Sequence, residues 1–425
     1  MDDSSPPESI DNTPKEKKKS RRPANTAFRQ QRLKAWQPIL TPKTVIPLFF
    51  VIGIICAPVG GLLIYASSTV KELRIDYTNC FRDSPTDSSE LMDQSLIFPS
   101  FKDNETINAM WQHTEGINFT YGQYTVQNLT RCTLTFDIPE EMAPPVLLYY
   151  RLENFYQNHR RYVASFFDRQ LLGNDVSVSE VDASNCQPLA TVNSSNEVAY
   201  YPCGLIANSL FNDTFLDPVL LNPPTRDGES ESPSSVVYEL KNTSIAWDSD
   251  KDLYGGRDST NYDNILPPPN WQIRYPNGRY SAEAPPPNLK EDEHFIVWMR
   301  TAGLPTFSKL YGKNDTAPML KGTYSMDIID NFRTDVYQGR KSIVITTLSV
   351  MGGRNNFLGI LWLVVGGFCI VLALVFLVTN LIKPRKLGDH TYLSWNNAPA
   401  SSSAVKGKGK ASGPAIGMAT GRDLS

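Results

Sequence analysis

The 425-residue sequence has few cysteines and histidines, six and four respectively, and two long stretches of it have no charge. Residues 44–70 and 355–382 contain no Asp, Glu, Lys, Arg or His. A helix needs about 20 predominantly apolar residues to cross the hydrocarbon core of a bilayer. Both stretches are long enough, so the sequence excludes a soluble protein and predicts two transmembrane helices.

The formal net charge of −3 conceals a strong segregation of charge along the chain. Residues 1–43 and 383–425 each carry a net charge of +5, whereas residues 71–354 carry −13. Basic residues that flank a membrane span are retained on the cytoplasmic side. The sequence therefore predicts two cytoplasmic tails, 1–43 and 383–425, and a luminal or extracellular domain, 71–354.

The first apolar stretch is preceded by 43 residues and is longer than the core of a signal peptide, which is roughly 7–15 residues. We interpret it as an uncleaved signal-anchor. The tails are rich in Ser, Pro, Lys and Gly and are predicted to be mostly disordered. Near the end of the first tail, Phe28, Leu33, Trp36 and Leu40 recur at near-helical spacing among basic residues. This spacing predicts a short amphipathic helix on the membrane surface.

The cysteines are divided in the same way as the charges. Cys56 and Cys369 lie in the apolar stretches, whereas Cys80, Cys132, Cys186 and Cys203 lie in the central domain. Four cysteines in an oxidising compartment allow three disulfide connectivities. The pairing Cys80–Cys132 and Cys186–Cys203 is favoured because it closes short loops. A structural zinc site is disfavoured because short C-x₂₋₄-C pairs are missing.

The central domain also carries every Asn-x-Ser/Thr acceptor of the chain. Such acceptors mark surface positions of a secreted domain. We predict N-glycosylation among Asn104, Asn118, Asn128, Asn193, Asn212, Asn242 and Asn314.

Alternation of apolar and polar residues from Cys132 to Ile138 is typical of a half-buried strand. Further strands are predicted at 146–151, 236–240, 295–299 and 342–348, and short helices at 155–166 and 205–211. Turn residues separate these segments. The pattern predicts a membrane protein with two transmembrane α-helices and a large β-rich ectodomain, resembling an antiparallel sandwich with an irregular second lobe.

The sequence lacks the motifs of common catalytic sites, including the phosphate loop, H-E-x-x-H and G-x-S-x-G. His113, His159, His294 and His390 are far apart along the chain. The acidic run at 291–293 is interpreted as a solvated loop, and neither a cofactor nor a metal is predicted. The residues alone are compatible with a two-span ligand-gated channel subunit or a lipid receptor, whereas nothing in them indicates nucleic-acid binding.

Long segments of the sequence resemble the cell-division-control-protein-50 family, the accessory β-subunits of type-IV P-type ATPase phospholipid flippases. They occur in the family's order and include FRQQRLKAWQPILTPKTVIPLFFVIG (28–53), YYRLENFYQNHRRYVASFFDRQLLG (149–173), PCGLIANSLFND (202–213), HFIVWMRTAGLPTFSKLYG (294–312), GRKSIVITTLS (339–349), NNFLGILWLVVGG (355–367) and LIKPRKLGDHTYLSWN (381–396).

This resemblance implies a non-catalytic subunit that pairs one-to-one with the flippase ATPase. It implies that the chain acts as a chaperone for exit of the ATPase from the endoplasmic reticulum and supports its stability and activity. Membrane lipids are the implied surroundings, in the endoplasmic reticulum, Golgi, endosome or plasma membrane. Family members pair their luminal cysteines in sequence order, which agrees with the loop argument. The chain lacks the D-K-T-G phosphorylation motif of the pumps.

Overall fold

The structure is a computed structural model. It describes residues 25–34, 40–101, 106–121, 124–192, 198–223, 235–257 and 260–384. Backbone contacts divide the chain into two units. One comprises Met1–Ile55 and Gly366–Ser425, and the other comprises Cys56–Val365.

Two helices are much longer than the others. The helices, in chain order, are α1 Pro42–Ser68, α2 Cys80–Asp83, α3 Arg160–Val163, α4 Asp168–Leu171, α5 Val178–Asp182, α6 Leu205–Asn208, α7 Asp248–Lys251, α8 Glu293–Met299 and α9 Phe357–Ile382. Helices α1 and α9 are long and apolar enough to cross a membrane. They lie within two residues of the spans predicted at 44–70 and 355–382.

In the described residues, the strands lie between α1 and α9. They are β1 Glu72–Asp76, β2 Glu90–Leu91, β3 Ile97–Ser100, β4 Ala109–Tyr121, β5 Tyr124–Ile138, β6 Val146–Glu153, β7 Ala199–Tyr200, β8 Thr214–Phe215, β9 Val219–Leu220, β10 Val236–Val237, β11 Ile265–Leu266, β12 Phe307–Asn314, β13 Gly322–Asp330 and β14 Arg340–Thr347.

The first sheet has the strand order β12-β6-β14-β1-β3, with every neighbouring pair antiparallel. Strand β14 lies in the middle, and its residues from Lys341 to Thr347 are all buried. All but the last residue of the strand predicted at 342–348 belong to β14.

The second sheet has the order β10-β9-β13-β5-β4-β2, and β8 also pairs with β13. In β5 the buried residues alternate from Cys132 to Ile138, which confirms the predicted strand. Leu134 and Phe136 pack in one hydrophobic core with Leu73 and Ile75 of the first sheet. The antiparallel sandwich-like class is therefore confirmed.

In the part of the chain that the structure describes, the irregular lobe, which surrounds the Cys186–Cys203 disulfide, contains short helices and short strands. Strands β7 and β11 form a parallel two-stranded sheet. Val181, Ala190 and Ala199 form a small separate core with the half-cystines Cys186 and Cys203. Because the lobe has so little regular structure, its chain path depends on these buried contacts and on the disulfide.

Several local predictions are wrong. Segment 295–299 belongs to helix α8, because Asp292 caps the helix by accepting a hydrogen bond from the backbone N–H of Phe295 at 3.0 Å. The strand predicted at 236–240 is only Val236–Val237, and the helices predicted at 155–166 and 205–211 are shortened to α3 and α6.

The amphipathic helix predicted near the start of the chain is not found in residues 25–34. Residues 27–31 form a turn there, and Gln31 has a φ of 55°, which a right-handed helix excludes. Residues 35–39 lie outside the described residues, as do the disordered segments predicted at 1–24 and beyond 397.

Candidate functional site

The three histidines that the structure describes are not brought together into one site. His113 is buried, with Nδ1 3.1 Å from the Ser84 hydroxyl. His159 is exposed, and His294 packs against Tyr311 with ring centroids 4.4 Å apart and the rings tilted by 37°. His390 lies outside the described residues. Within those residues, no group of three or more His, Cys, Asp or Glu is arranged to hold a metal ion.

Disulfide bonds join Cys80 to Cys132 and Cys186 to Cys203. This is the connectivity that closes the shortest loops, with sequence separations of 52 and 17 residues. The first bond ties α2 to β5 of the second sheet, and the second bond lies in the core of the irregular lobe. The free cysteines Cys56 and Cys369 are buried in the apolar helices.

Each long helix has buried small residues at a seven-residue spacing, which is the repeat of helices packed side by side. They include Gly53, Gly60 and Ser67 of α1 and Gly359, Gly366 and Ala373 of α9.

The glycines allow the two backbones to approach closely. A Cβ atom on Gly53 would lie 3.0 Å from the carbonyl oxygen of Gly366. A Cβ atom on Gly60 would lie 2.7 Å from the backbone nitrogen of Leu363 and 2.9 Å from the carbonyl oxygen of Gly359. Small residues have this role in membrane helices generally. The remaining faces of both helices are largely exposed apolar surface, available to lipid or to another helix.

A charged centre is buried between the two sheets. The Nζ of Lys341 on β14 donates to the Asp213 carboxylate at 2.8 Å, to the Asp330 carboxylate at 2.5 Å and to the carbonyl of Phe332 at 2.8 Å. Asp213 also accepts from the Tyr77 hydroxyl at 2.8 Å. Tyr77 follows β1 of the first sheet, whereas Asp330 ends β13 of the second. The centre therefore connects the two layers of the sandwich.

Burial and mutual charge set the protonation of this centre. Burial raises the pKa of Asp330 to about 6, against the attraction of Lys341. Burial lowers the pKa of Lys341, but Asp213 and Asp330 outweigh it, and the pKa lies above its ordinary value. Burial and the nearby Asp213 raise the pKa of Tyr77 well above its usual range. Lys341 is thus held as a cation and Tyr77 as a neutral hydrogen-bond donor.

A second buried lysine stabilises the end of α8. The Nζ of Lys309 donates to the carbonyls of Val297, Trp298 and Arg300 at 2.8, 3.0 and 2.5 Å. The last carbonyls of a helix have no partner within the helix, so a lysine can satisfy them. Burial lowers the pKa of Lys309 to about 7.

The acidic run interpreted as a solvated loop has a structural role instead. The Glu293 carboxylate accepts hydrogen bonds from the backbone N–H groups of residues 244–246 at 2.9, 2.7 and 2.8 Å. It also forms an ion pair with Lys251 at 3.0 Å. Burial raises the pKa of Glu293, but these donors outweigh it, and the pKa is lowered overall.

The sequence analysis did not identify either buried lysine, although the two-residue repeat of buried positions along a strand includes both of them. Lys341 alternates with Ile343 and Ile345 on one face of β14, and Lys309 follows Phe307 on the buried face of β12. A lysine in register with apolar residues at a two-residue period is the sequence signal for an inward-facing charge.

The predicted glycan acceptors differ in accessibility. Asn118, Asn128 and Asn242 are exposed, Asn212 and Asn314 are half-buried, and Asn104 and Asn193 lie outside the described residues. The Asn314 side-chain amide is engaged on both sides. It donates to the carbonyl of Glu239 at 2.9 Å and accepts from the backbone N–H of Ala317 at 2.8 Å.

Comparison with known proteins identifies what this arrangement resembles. The model of the LEM3 (ligand-effect modulator 3) family / CDC50 family matches residues 63–386. The chain is 47% identical over 384 residues to the phospholipid-transporting ATPase accessory subunit CDC50 of Chaetomium thermophilum, covering 89% of this chain and 92% of the relative.

Similar proteins with lower identity occur in a yeast and in a mammal. Identity is 39% to the phospholipid-transporting ATPase accessory subunit CRF1 of Saccharomyces cerevisiae, covering 89% of this chain and 90% of the relative. The identity to cell cycle control protein 50A of Mus musculus is 38%, and the match covers 85% of this chain and 90% of the relative. Two apolar helices long enough to cross a membrane flank the β-rich domain. Together with the similarity to these relatives, they show that the protein is an integral membrane protein. The chain belongs to the LEM3/CDC50 family.

Proposed function

We propose that this chain is the non-catalytic accessory subunit of a P-type ATPase that transports phospholipids. The observation that carries the proposal is the 47% identity, over most of both chains, to a relative named as such a subunit. The sequence also lacks the D-K-T-G phosphorylation motif, so ATP hydrolysis belongs to the partner.

The subunit pairs one-to-one with the ATPase, supports its exit from the endoplasmic reticulum and its stability, and is needed for its pumping activity. The ATPase moves phospholipids to the cytoplasmic leaflet. The uncharged helices support this division of labour, because a polar pathway through a membrane generally requires ionisable or polar groups. Exposed apolar side chains of α9, including Phe357, Val364 and Phe368, provide surface for packing against membrane helices of the ATPase.

The two tails are cytoplasmic, and the β-rich domain lies in the lumen or outside the cell. Basic residues beyond both helix ends support this orientation. The two disulfides support it as well, because such bonds persist in oxidising compartments. The exposed acceptors Asn118, Asn128 and Asn242 carry glycans, whereas the engaged amide of Asn314 is left unmodified.

Affinity purification of the full chain in mild detergent tests the partnership. We expect a P-type ATPase to co-purify in equimolar amount and to lose phospholipid-stimulated ATP hydrolysis when this chain is depleted. Purification of the chain as a stable homo-oligomer without an ATPase contradicts the proposal.

Glycosidase digestion of membrane vesicles tests the orientation. We expect each of Asn118→Gln, Asn128→Gln and Asn242→Gln to remove one glycan, while Asn314→Gln leaves the electrophoretic mobility unchanged. Tags placed at the two termini should be digested by protease in sealed microsomes, because the cytoplasmic face is outside. Protection of both tags would reverse the orientation.

A further inference from the structure

The loop that joins the last strand to the second membrane helix exposes apolar side chains that the proposed function does not use. It comprises residues 348–354, between β14 and the residues that precede α9, and we name it the β14–α9 loop. Val350 is fully exposed, Met351 is 58% exposed and Leu348 is 40% exposed. The loop therefore presents a small apolar surface outside the protein core.

Val350 and Met351 form the tip of a tight turn. The backbone N–H of Ser349 donates to the carbonyl of Gly352 at 2.8 Å, and the N–H of Gly352 donates to the carbonyl of Ser349 at 2.9 Å. The Ser349 hydroxyl also accepts from the N–H of Met351 at 3.2 Å. Gly352 has a φ of 96°, a conformation that favours glycine. The turn thus holds both side chains at its tip before they contact any partner.

The residues at this tip are unusual for a turn that faces water. Gly, Pro, Asn, Asp and Ser dominate such turns, because their backbones or short polar side chains suit the geometry. Single exposed apolar residues are common on protein surfaces, whereas a cluster of them marks a surface that another apolar phase covers. Val350 and Met351, with Leu348 beside them, form such a cluster.

Both ends of the β14–α9 loop are tied to the end of α1. Before the loop, the N–H of Thr347 donates to the carbonyl of Lys71 at 3.0 Å, and the N–H of Lys71 donates to the Thr347 hydroxyl at 3.0 Å. After the loop, the N–H of Asn355 donates to the Ser67 hydroxyl at 3.0 Å. Ser67 lies in the last turn of α1, and Lys71 follows three residues after the helix ends. The loop therefore starts and finishes where α1 leaves the bilayer.

Aromatic side chains mark the level of the bilayer surface at this end of the two helices. Tyr65 of α1 is 69% exposed, and Trp362 of α9 is 37% exposed. Tyr and Trp are enriched at the headgroup level of membrane spans, because their rings are apolar and carry one polar group. Tyr65 precedes Ser67 by two residues, so the ends of the loop lie close to the headgroup level.

The loop is too short to carry its tip far from this level. Seven residues whose two ends lie together reach at most roughly 12 Å outwards, since an extended chain advances about 3.3–3.6 Å per residue. The headgroup region on each side of the hydrocarbon core is roughly 5–7 Å thick. A tip that folded back onto the β-rich domain would be partly covered by it, whereas Val350 is fully exposed. The tip is therefore within reach of phospholipid headgroups and the upper part of their acyl chains.

The charge of the loop also suits a phospholipid surface. Residues 348–354 contain no acidic residue, and the exposed Arg354 ends the segment. The aliphatic stem of an arginine can lie along apolar surface while its guanidinium remains in the polar layer. A guanidinium there donates to phosphate oxygens in a geometry that matches its planar fork.

We propose that the β14–α9 loop inserts Val350 and Met351 into the bilayer leaflet on the side of the β-rich domain, with Arg354 at the phospholipid phosphates. Phospholipid is the partner because the tip lies at the headgroup level, directly beside a transmembrane helix. Strand β14 lies in the middle of the first sheet, so an inserted loop holds the domain at a fixed height above the membrane.

Fluorescence quenching in phosphatidylcholine nanodiscs tests the proposal on the full-length protein. Val350→Cys carries an environment-sensitive NBD label. Val336→Cys is the matched control, because Val336 is 84% exposed and precedes β14, roughly 25 Å from the loop along that strand. The unsubstituted protein gives the background labelling, since Cys56 and Cys369 are buried.

We expect phosphatidylcholine with a spin label near the top of its acyl chain to quench the label at position 350 severalfold more strongly than the label at position 336. Iodide in the water should quench the two labels in the opposite order. Emission from position 350 should lie at a shorter wavelength, because the label is in an apolar medium. Met351→Cys should behave as Val350→Cys does, and both positions are exposed, so neither substitution disturbs the core.

A photo-crosslinking residue at position 350 provides a second measurement in native membranes, where we expect an adduct with phospholipid. The proposal is overturned if the labels at positions 350 and 336 respond alike to both quenchers, or if the crosslinker attaches to a protein instead of a phospholipid. Quenching is measured on the chain without an ATPase, so its result is independent of the proposed function.

Discussion

The buried centre around Lys341 provides the sharpest test of what stabilises the β-rich domain. Lys341 is 1% exposed, and the side chains of Asp213 and Asp330 are 0% and 4% exposed. Lys341→Met replaces the ammonium group with an apolar end of similar length. It leaves two carboxylates buried at close range without their shared cation.

The expected loss can be estimated from the burial of the partners. Removing one member of a buried ion pair typically costs about 3–5 kcal/mol, because the remaining charge is neither solvated nor paired. Asp330 is already short of partners, since its second carboxylate oxygen is buried without a hydrogen bond in the described residues. For a domain of this size, 1 kcal/mol lowers Tm by roughly 2–4 °C, so a drop of at least about 6 °C is expected.

Thermal unfolding of the full-length protein in detergent, followed by intrinsic fluorescence, provides the measurement. Arg333→Ala is the matched control, since Arg333 forms an ion pair with Asp335 at 2.7 Å in the loop between β13 and β14. Those side chains are 62% and 45% exposed, and exposed pairs contribute little. The control should unfold close to the wild-type Tm.

The pH dependence adds a second signature. The pKa of Asp330 is raised to about 6 in the folded state, above an unfolded value of about 3.9. Between these values the folded state binds the additional proton, so the free energy of unfolding falls by roughly 2–3 kcal/mol as pH rises from 4 to 6. Lys341 opposes the protonation of Asp330, so without Lys341 the Asp330 carboxylate gains more from protonation, and the deficit of Lys341→Met should shrink at pH 5.

The reasoning is refuted if Lys341→Met lowers Tm no more than Arg333→Ala. It is also refuted if the deficit is the same at pH 5 and pH 8, because a deficit caused by buried negative charge must respond to protonation.

Three further predictions concern the membrane helices, the second disulfide and Lys309. Gly60→Ala should lower Tm and Gly61→Ala should not, because a Cβ atom on Gly60 meets the backbone of α9 and a Cβ atom on Gly61 meets nothing within 4 Å. Cys186→Ser, Cys203→Ser and the double variant should lose similar stability, about 2–5 kcal/mol, since each opens the same bond; a double variant much less stable than either single one would contradict the pairing. Lys309→Met should lower Tm and flatten the pH profile above pH 7. With a folded pKa of about 7 and a higher unfolded one, the unfolded state binds the additional proton, and wild-type stability rises from pH 7 to 10.

The alternation of apolar and polar residues predicted strand β5 correctly. Residue composition failed for helix α8, where capping interactions determined the secondary structure. The alternation from Cys132 to Ile138 was sufficient for β5, since each apolar residue faces the core. In contrast, the aromatic and β-branched run Phe295–Met299 has the composition of a strand but forms α8. Helix α8 is stabilised by the Asp292 cap at its start and by Lys309 at its end. Lys309 lies on β12, outside the segment whose composition was considered.

For the membrane helices, too, the sequence predicts one feature and the tertiary contacts decide another. The lack of charge in 44–70 and 355–382 predicts that these segments span a bilayer, but not which face of each helix meets the other. The structure places Gly53 and Gly60 against α9 at a seven-residue spacing. Both helices are apolar on all faces, so hydrophobicity does not distinguish the face of each helix that contacts the other. The contact face is instead the one where small residues let the two backbones approach closely.

By itself, the sequence predicted the two spans, the strand-rich domain between them and the resemblance to a family, and it favoured one of three disulfide pairings because that pairing closes the shortest loops. Each of these depends on residue type or on short-range order along the chain. Only the tertiary structure decided that Lys341 meets Asp213, 128 residues away, and that both ends of the β14–α9 loop are tied to the end of α1. Such pairings depend on strand order and loop paths, which no periodicity records.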